Sequence, residues 1–247
     1  MKKIPTTCTL DGDIIAWKTA FIADSEGTHF IAPLLESLIK KWTPKKCKKV
    51  EIALSCKARD NFRKLEYPGY KENRKEAYKP DCLKETFDVI KDSYDTLLWD
   101  CLEADDILGI RSSSGASVSV SIDKDLKGVP GWHWNPDKDK APYEITPLQA
   151  EKWFCLQWMT GDSTDGIPGL WRVGPKKAEK ILTQTSEDEW YERIVDLYKT
   201  GENVPKNTHD VKDMCIAMGR CVRILQNTNY DVNKQEIKAL WHPIDGL

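Results

Sequence analysis

Apolar and polar positions along the first half of the chain follow two rhythms in turn. Thr7–Leu10 is a short apolar run that stops at Asp11-Gly12-Asp13, and Val50–Ser55 and Asp95–Trp99 are two more such runs. Ser117–Ile122 (SVSVSI) alternates strictly, so these four segments predict strands. Phe30, Leu34, Leu35, Leu38, Ile39 and Trp42 share one helical face, as do Leu83, Phe87 and Ile90, and a further helix is predicted through Ala104–Ile110. After Pro147 the spacing is helical throughout, over Leu148–Thr160, Pro175–Leu182, Glu187–Tyr198 and Val211–Leu225. Strand and helix alternate first, and helices dominate afterwards. That order predicts an α/β fold with a central, mainly parallel sheet flanked by helices and a helical region appended.

Composition narrows the class. The 247 residues carry 37 basic and 39 acidic side chains, a formal charge of −2. This excludes a uniformly basic binder and a highly charged disordered chain. No apolar run is long enough to span a membrane. Met1–Thr7 has two lysines but no apolar signal core. The eight cysteines form no C-x-x-C pair, which predicts reduced structural thiols and a cytoplasmic protein, the host cytoplasm if phage-encoded. The four histidines are scattered, which argues against histidine-based metal or triad chemistry. The near-zero total hides sorted charge. Lys40 to Lys79 holds fourteen Lys or Arg against five Asp or Glu, and Asp81 to Asp125 holds four against eleven.

Three predicted strands run into carboxylates: Leu10 before Asp11, Trp99 before Asp100 and Glu103, and Ile122 before Asp123. Ligands of open α/β sheets bind outside the carboxyl ends of the strands. The acidic groups are Asp11 and Asp13; Glu103, Asp105 and Asp106; Asp123 and Asp125; and Asp162 and Asp165. A single pair is commonly a solvated loop or a helix cap. Four groups at element boundaries, brought into one cleft, would repel one another and persist only by protonation or by binding cations. Oxygen-only donors suit Mg²⁺ or Mn²⁺, and two such ions would clamp a phosphodiester while a bound water attacks.

The basic block interleaves aromatics with cations in Tyr70-Lys71-Glu72-Asn73-Arg74-Lys75, a pattern suited to bases and phosphates. Further on, Gly169-Leu170-Trp171-Arg172-Val173-Gly174-Pro175-Lys176-Lys177 places two glycines, a proline and two lysines in the order of an anion-gripping helix start, with Gly174 predicted at positive φ.

Taken in order, Leu10-Asp11-Gly12, Tyr70-Lys71-Glu72-Asn73-Arg74, Glu103-Ala104-Asp105-Asp106, Ile122-Asp123-Lys124-Asp125 and Gly161-Asp162-Ser163-Thr164-Asp165 with Gly169–Lys177 resemble the 5′-nuclease superfamily of flap endonucleases and 5′→3′ exonucleases, most of all its compact phage members. The resemblance implies a catalytic α/β core over 1–146 with a helical arch at about 57–93. It also implies a helical DNA-binding region over 147–247 with a helix–two-turn–helix at about 161–182. It implies a Mg²⁺- or Mn²⁺-dependent, two-ion phosphodiesterase cutting 5′ ends, nicks or flaps of DNA, or RNA–DNA hybrids, in DNA replication, as a monomer and without a membrane partner. Asp11, Glu103, Asp105 and Asp123, joined by Asp125 and Asp106, would hold the catalytic ion, and Asp162 and Asp165 the second. Lys71 and Arg74 would neutralise the scissile phosphate, with Tyr70 beside them. Gly169, Gly174, Lys176 and Lys177 would hold downstream duplex, with K⁺ on the turn carbonyls.

One departure stands out. Family members often carry another aspartate where this chain has Cys56, and Asp60 is the candidate substitute. Asp13 falls outside the usual metal set. Two other readings remain open: a catalytically impaired DNA-binding member of the same fold, and a haloacid-dehalogenase-like phosphatase with Asp11 as nucleophile.

Overall fold

The computed structural model describes residues 3–74, 77–200 and 211–243. Lys75, which closes the basic motif, lies outside them, as do residues 201–210 and 244–247 of the appended helical region.

The strands are β1 (Thr7–Asp11), β2 (Lys49–Leu54), β3 (Thr96–Leu98), β4 (Val118–Val120), β5 (Gly131–Trp134) and β6 (Tyr143–Ile145). They form one sheet in the order β3-β2-β1-β4-β5-β6, parallel except for β6, which runs antiparallel to β5. β1 is the pivot. Its neighbours β2 and β4 are reached in opposite directions along the sheet, so the crevice at its carboxyl end is a topological switch point.

Helix α1 (Gly12–Glu26) follows β1 directly, α2 (Ile31–Lys41) precedes β2, and the four-residue α3 (Arg63–Glu66) and α4 (Leu83–Ser93) lie between β2 and β3. α1, α2 and α4 enclose a core with Leu10, Ile15, Leu35, Trp42, Ile52 and Ile90. On another side of the sheet, α5 (Ala104–Ser113) packs Ile107 and Leu108 against Ile224 and Leu225, with Trp99 stacked on Tyr230 at 5.1 Å. Alternation to helix-rich order is as predicted, but α1 is not signalled by periodicity. Its apolar residues point every way: Ile15, Ala16 and Ala20 are buried while Phe21 and Ile22 are about half exposed. β5 and β6 are too short to reveal a period. In the stretch expected to form an arch, the described residues hold only α3, short turns and α4.

The second core gathers on α6 (Pro147–Thr160), which starts with Thr146 and Gln149 capping each other's backbone N–H. A short ribbon, β7 (Gly161–Asp162) with β8 (Ile167–Pro168), leads to α7 (Pro175–Thr183), then α8 (Trp190–Lys199) and α9 (Val211–Val222). Trp158, Leu182, Ile194, Tyr198 and Met218 fill the space between these helices. A second ribbon pairs β9 (Tyr230–Asp231) with β10 (Glu236–Ile237).

Gly174 is not in the left-handed region; its φ is −88°. The positive φ falls on Arg172 instead, at 58°. Gly169 serves close packing: a Cβ there would lie 2.2 Å from the Thr160 carbonyl carbon.

Candidate metal-binding active site

Asp11 ends β1 and caps α1. Its Oδ1 accepts from Ile14 N at 3.1 Å and its Oδ2 from Ser121 Oγ, beyond β4, at 2.7 Å. Gly12 allows α1 to start hard against β2, because a Cβ would lie 2.5 Å from Ile52 Cγ2 and 2.6 Å from Ala53 O. That approach carries Asp13 to the end of β2, where its Oδ1 accepts from Ser55 N at 3.1 Å. Beyond β4, Asp123 N is bound by Ser121 Oγ, and Asp123 Oδ1 in turn accepts from Asp125 N at 2.8 Å. Gln157 of α6 holds Asp125 Oδ1 at 2.7 Å. The start of α5 supplies Glu103 and Asp105, and the β7–β8 turn supplies Asp162 and Asp165.

These eight carboxylates line one cleft of about 570 Å³, together with Lys71, Arg74 and Lys124. Trp17 and Phe21 of α1 line it too. Tyr70 is buried, 2 % exposed, and donates to Glu103 Oε2 at 2.7 Å. Lys71, at φ 56°, donates to Glu103 Oε1 at 2.7 Å and lies 3.7 Å from Asp165 Oδ2. Arg74 pairs with Asp165 Oδ1 and donates to Thr164 O at 3.0 Å. Asp162 Oδ1 caps Thr164 N at 2.7 Å, and its Oδ2 lies 3.6 Å from Lys124 Nζ.

Electrostatics follow from crowding. Burial, then the charge of Asp13, pushes Asp11 up to about 7, and burial with Asp123 beside it pushes Asp125 up to about 7. Burial, followed by Asp11, Asp123 and Glu103, raises Asp105 well above the carboxylate range. Burial also raises Asp165, although Lys71 and Arg74 oppose it. Burial works upward on Glu103 as well, but Lys71 and Arg63 outweigh it and hold its carboxyl below the usual value.

Asp106 is not in this cleft. It is 0 % exposed, gripped by Arg63 Nη1 and Nη2 at 2.7 Å each, and it accepts from Leu225 N and Glu103 N. Arg63, which sequence reasoning passed over, takes that carboxylate out of the candidate ligand set. Asp60 does not replace the missing aspartate either. It pairs with Arg59 and lines a neighbouring cavity of about 1080 Å³. Cys56 lines the cleft, its N–H held by Leu102 O at 2.8 Å. Asp100 also stands on that neighbouring cavity. Gly169, Gly174, Lys176 and Lys177 lie away from the cleft, and both lysines are exposed at the start of α7.

Among the described residues, no three of these side chains are gathered closely enough to hold a metal ion unaided. The residues nonetheless fit hydrated hard cations. All cleft donors are oxygens, and Mg²⁺ needs only one or two direct carboxylates beside its waters and a substrate phosphate. One acceptor awaits a partner: Asp105 Oδ1 is buried and bonded to nothing.

A carboxylate cleft at the switch point of a mainly parallel sheet, with Lys71, Arg74 and Lys124 inside it, is suited to holding hard cations against an anionic substrate. No family model matches the chain. It is 31% identical over 196 residues to the flap endonuclease Xni of Vibrio cholerae, covering 69% of this chain and 71% of the relative. It is 26% identical over 246 residues to the exonuclease of Escherichia phage T7, covering 85% and 80%. A DNA polymerase I of Rhizobium leguminosarum is 34% identical over 155 residues, and the chain spans 15% of its length. The fold superposes on the T5 protein co-crystallised with metal ions with a TM-score of 0.61, at 16% identity, over 87% of this chain and 86% of that one. The chain belongs to the 5′-nuclease superfamily, and the phosphatase reading is set aside. No helix among the described residues is long and apolar enough to cross a membrane.

Proposed function

We propose that the protein is a Mg²⁺- or Mn²⁺-dependent nuclease of DNA replication, a 5′→3′ exonuclease and flap endonuclease acting at 5′ ends, nicks and flaps. The observation that carries this reading is the orphaned, buried Asp105 Oδ1 in a cleft of like charges. Asp11, Glu103, Asp105 and Asp123 would surround one hydrated ion together with Asp125, mostly through its waters, and Asp162 and Asp165 a second. When bound, such a pair supplies Lewis-acid polarisation of the phosphoryl oxygens and acidifies an attacking water.

The chain's own residues do the rest. Lys71, now bonded to Glu103, turns its ammonium to the scissile phosphate and stabilises charge as it develops. Arg74, half exposed at the cleft mouth, grips an adjacent phosphate. Tyr70 keeps Glu103 oriented. Lys176 and Lys177 project from the start of α7 and would hold duplex backbone, reading phosphate and no sequence. The region beyond about residue 146 then adds the duplex grip and also supplies Asp162 and Asp165 to the cleft.

The test is hydrolysis of 5′-labelled flap, nicked and blunt substrates with Mg²⁺. Release of mono- or short oligonucleotides, absent in EDTA and lost in Asp123→Asn, is the expected result. Equal binding to branched DNA with Mg²⁺ or EDTA and no cutting in either would establish the impaired-member reading instead.

A further inference from the structure

Asp13 has no role in the ligand set above, yet nothing about its position is incidental. It sits two residues after Asp11, on the first turn of α1, and faces the same cleft. The absence of a side chain at Gly12, where a Cβ would lie 2.5–2.6 Å from β2, lets that turn pack closely on the strand, so Asp13 reaches the loop that begins at Ser55. Its Oδ1 is fixed by the Ser55 N–H, the Ser55 side chain also bonds to the carboxylate, and the group lines the cleft beside Asp11 and Glu103.

Next to Ser55 is Cys56, which lines the cleft but offers a neutral thiol. A hard cation has little affinity for a thiol, and in the free protein burial, then the charge of Glu103, pushes this one up to about 12. Its sulfur leans on its neighbour, Lys57 O, at 3.5 Å. The end of β2 thus supplies no charged donor of its own. The only carboxylate among the described residues that bonds to this strand end is Asp13, arriving from α1.

We propose that Asp13 is a ligand of the divalent-ion site, supplying from helix α1 the negative charge that the end of β2 lacks at Cys56. This rests on the ligand assignment made under the proposed function. A hard cation takes oxygen and ignores the thiol, so Cys56 is a spectator and the charge of the site is completed from the other element. Because the donor comes from α1, it moves with Asp11 as one rigid unit.

The test measures Mn²⁺ binding to the full chain without DNA, by electron paramagnetic resonance and titration calorimetry. Asp13→Asn keeps an oxygen for the Ser55 N–H, and circular dichroism checks the fold. It is expected to weaken Mn²⁺ about ten-fold or more. Cys56→Ala is expected to bind as the parent does. The double variant Asp13→Asn with Cys56→Asp is expected to recover most of the lost affinity, since it returns a carboxylate to the same corner. Parent-like Mn²⁺ binding by Asp13→Asn, with Asp123→Asn weakened, overturns the assignment of Asp13 alone. Unchanged binding in both variants overturns the site reading itself. A double variant no better than Asp13→Asn also overturns the substitution of one position for the other.

Discussion

Lys71 Nζ lies 2.7 Å from Glu103 Oε1 and 3.7 Å from Asp165 Oδ2, so one ammonium bridges carboxylates from α5 and from the β7–β8 turn. On the proposed mechanism this cation occupies ground that substrate phosphate and metal would share, and the pair would open when substrate binds.

Lys71→Ala is accordingly expected to lower kcat by about 10²–10³-fold while leaving the Kd for flap DNA nearly unchanged, since other cations grip the backbone. Single-turnover cleavage alongside a binding titration in Ca²⁺ separates the two. A rise in Kd with unaltered kcat would place Lys71 in binding alone.

Asp106→Asn is expected to act on folding. It leaves the Arg63 guanidinium, 3 % exposed, without its partner, at a cost of about 3–5 kcal/mol. Urea unfolding should show that loss, whereas Mn²⁺ affinity of the folded fraction stays at the parental level. Weakened Mn²⁺ binding without lost stability would return Asp106 to the ligand set.

Divalent cations should stabilise the fold by relieving repulsion among Asp11, Asp105 and Asp123. Mg²⁺ at a hundred times its Kd is worth about 2.7 kcal/mol, and Asp105→Asn should blunt the gain. Thermal unfolding with and without Mg²⁺ reads both. An equal Tm rise in the variant would contradict the role given to Asp105.

His133 offers a pH signature remote from the cleft. Burial lowers its imidazole to about 4, and its Nε2 donates to Val129 O at 2.9 Å. The unfolded chain takes up this proton first, near pH 6.5, so the neutral ring's contribution is complete above that value. It is lost as pH falls from about 6.5 through 4, by about 3 kcal/mol in all. The raised carboxyls of Asp11 and Asp125 work in the opposite sense over the same range, so the site-resolved measurement is NMR of the His133 ring. It should not titrate between pH 7 and 5.

Lys176→Ala and Lys177→Ala should each weaken duplex binding regardless of sequence and reduce the salt slope by about 1. A fluorescence anisotropy series in KCl measures this. Unaltered slopes would remove α7 from the DNA path.

Much of the fold was legible because strands of a sheet buried on both faces leave apolar runs, and because Asp11 and Asp123 stop two of them. α1 was hidden because its apolar residues, Phe21 and Ile22 included, spread onto the exposed face as well and leave no stripe to detect. Adjacent residues on a helix point about 100° apart, so Asp105 and Asp106 can turn to different surroundings. Only Arg63, 43 residues earlier in the chain, decides which of them turns away. Arg172, likewise, takes the left-handed turn that glycine chemistry would assign to Gly174. Asp13 was set aside as outside the usual metal set, and its proximity to Ser55 depends on how tightly α1 meets β2, a packing distance that no spacing encodes.

The bonds Arg63 makes outside the cleft reach far down the chain: Nε to Cys221 O at 2.9 Å, Nη2 to Arg223 O at 3.0 Å, while Asp106 holds Leu225 N at 3.0 Å. During synthesis, residues 1–200 emerge with both members of this buried pair and without the carbonyls that finish it. Asp106 caps the helix that presents Glu103 and Asp105, so the start of α5 gains its last anchors only when residues 221–225 join it.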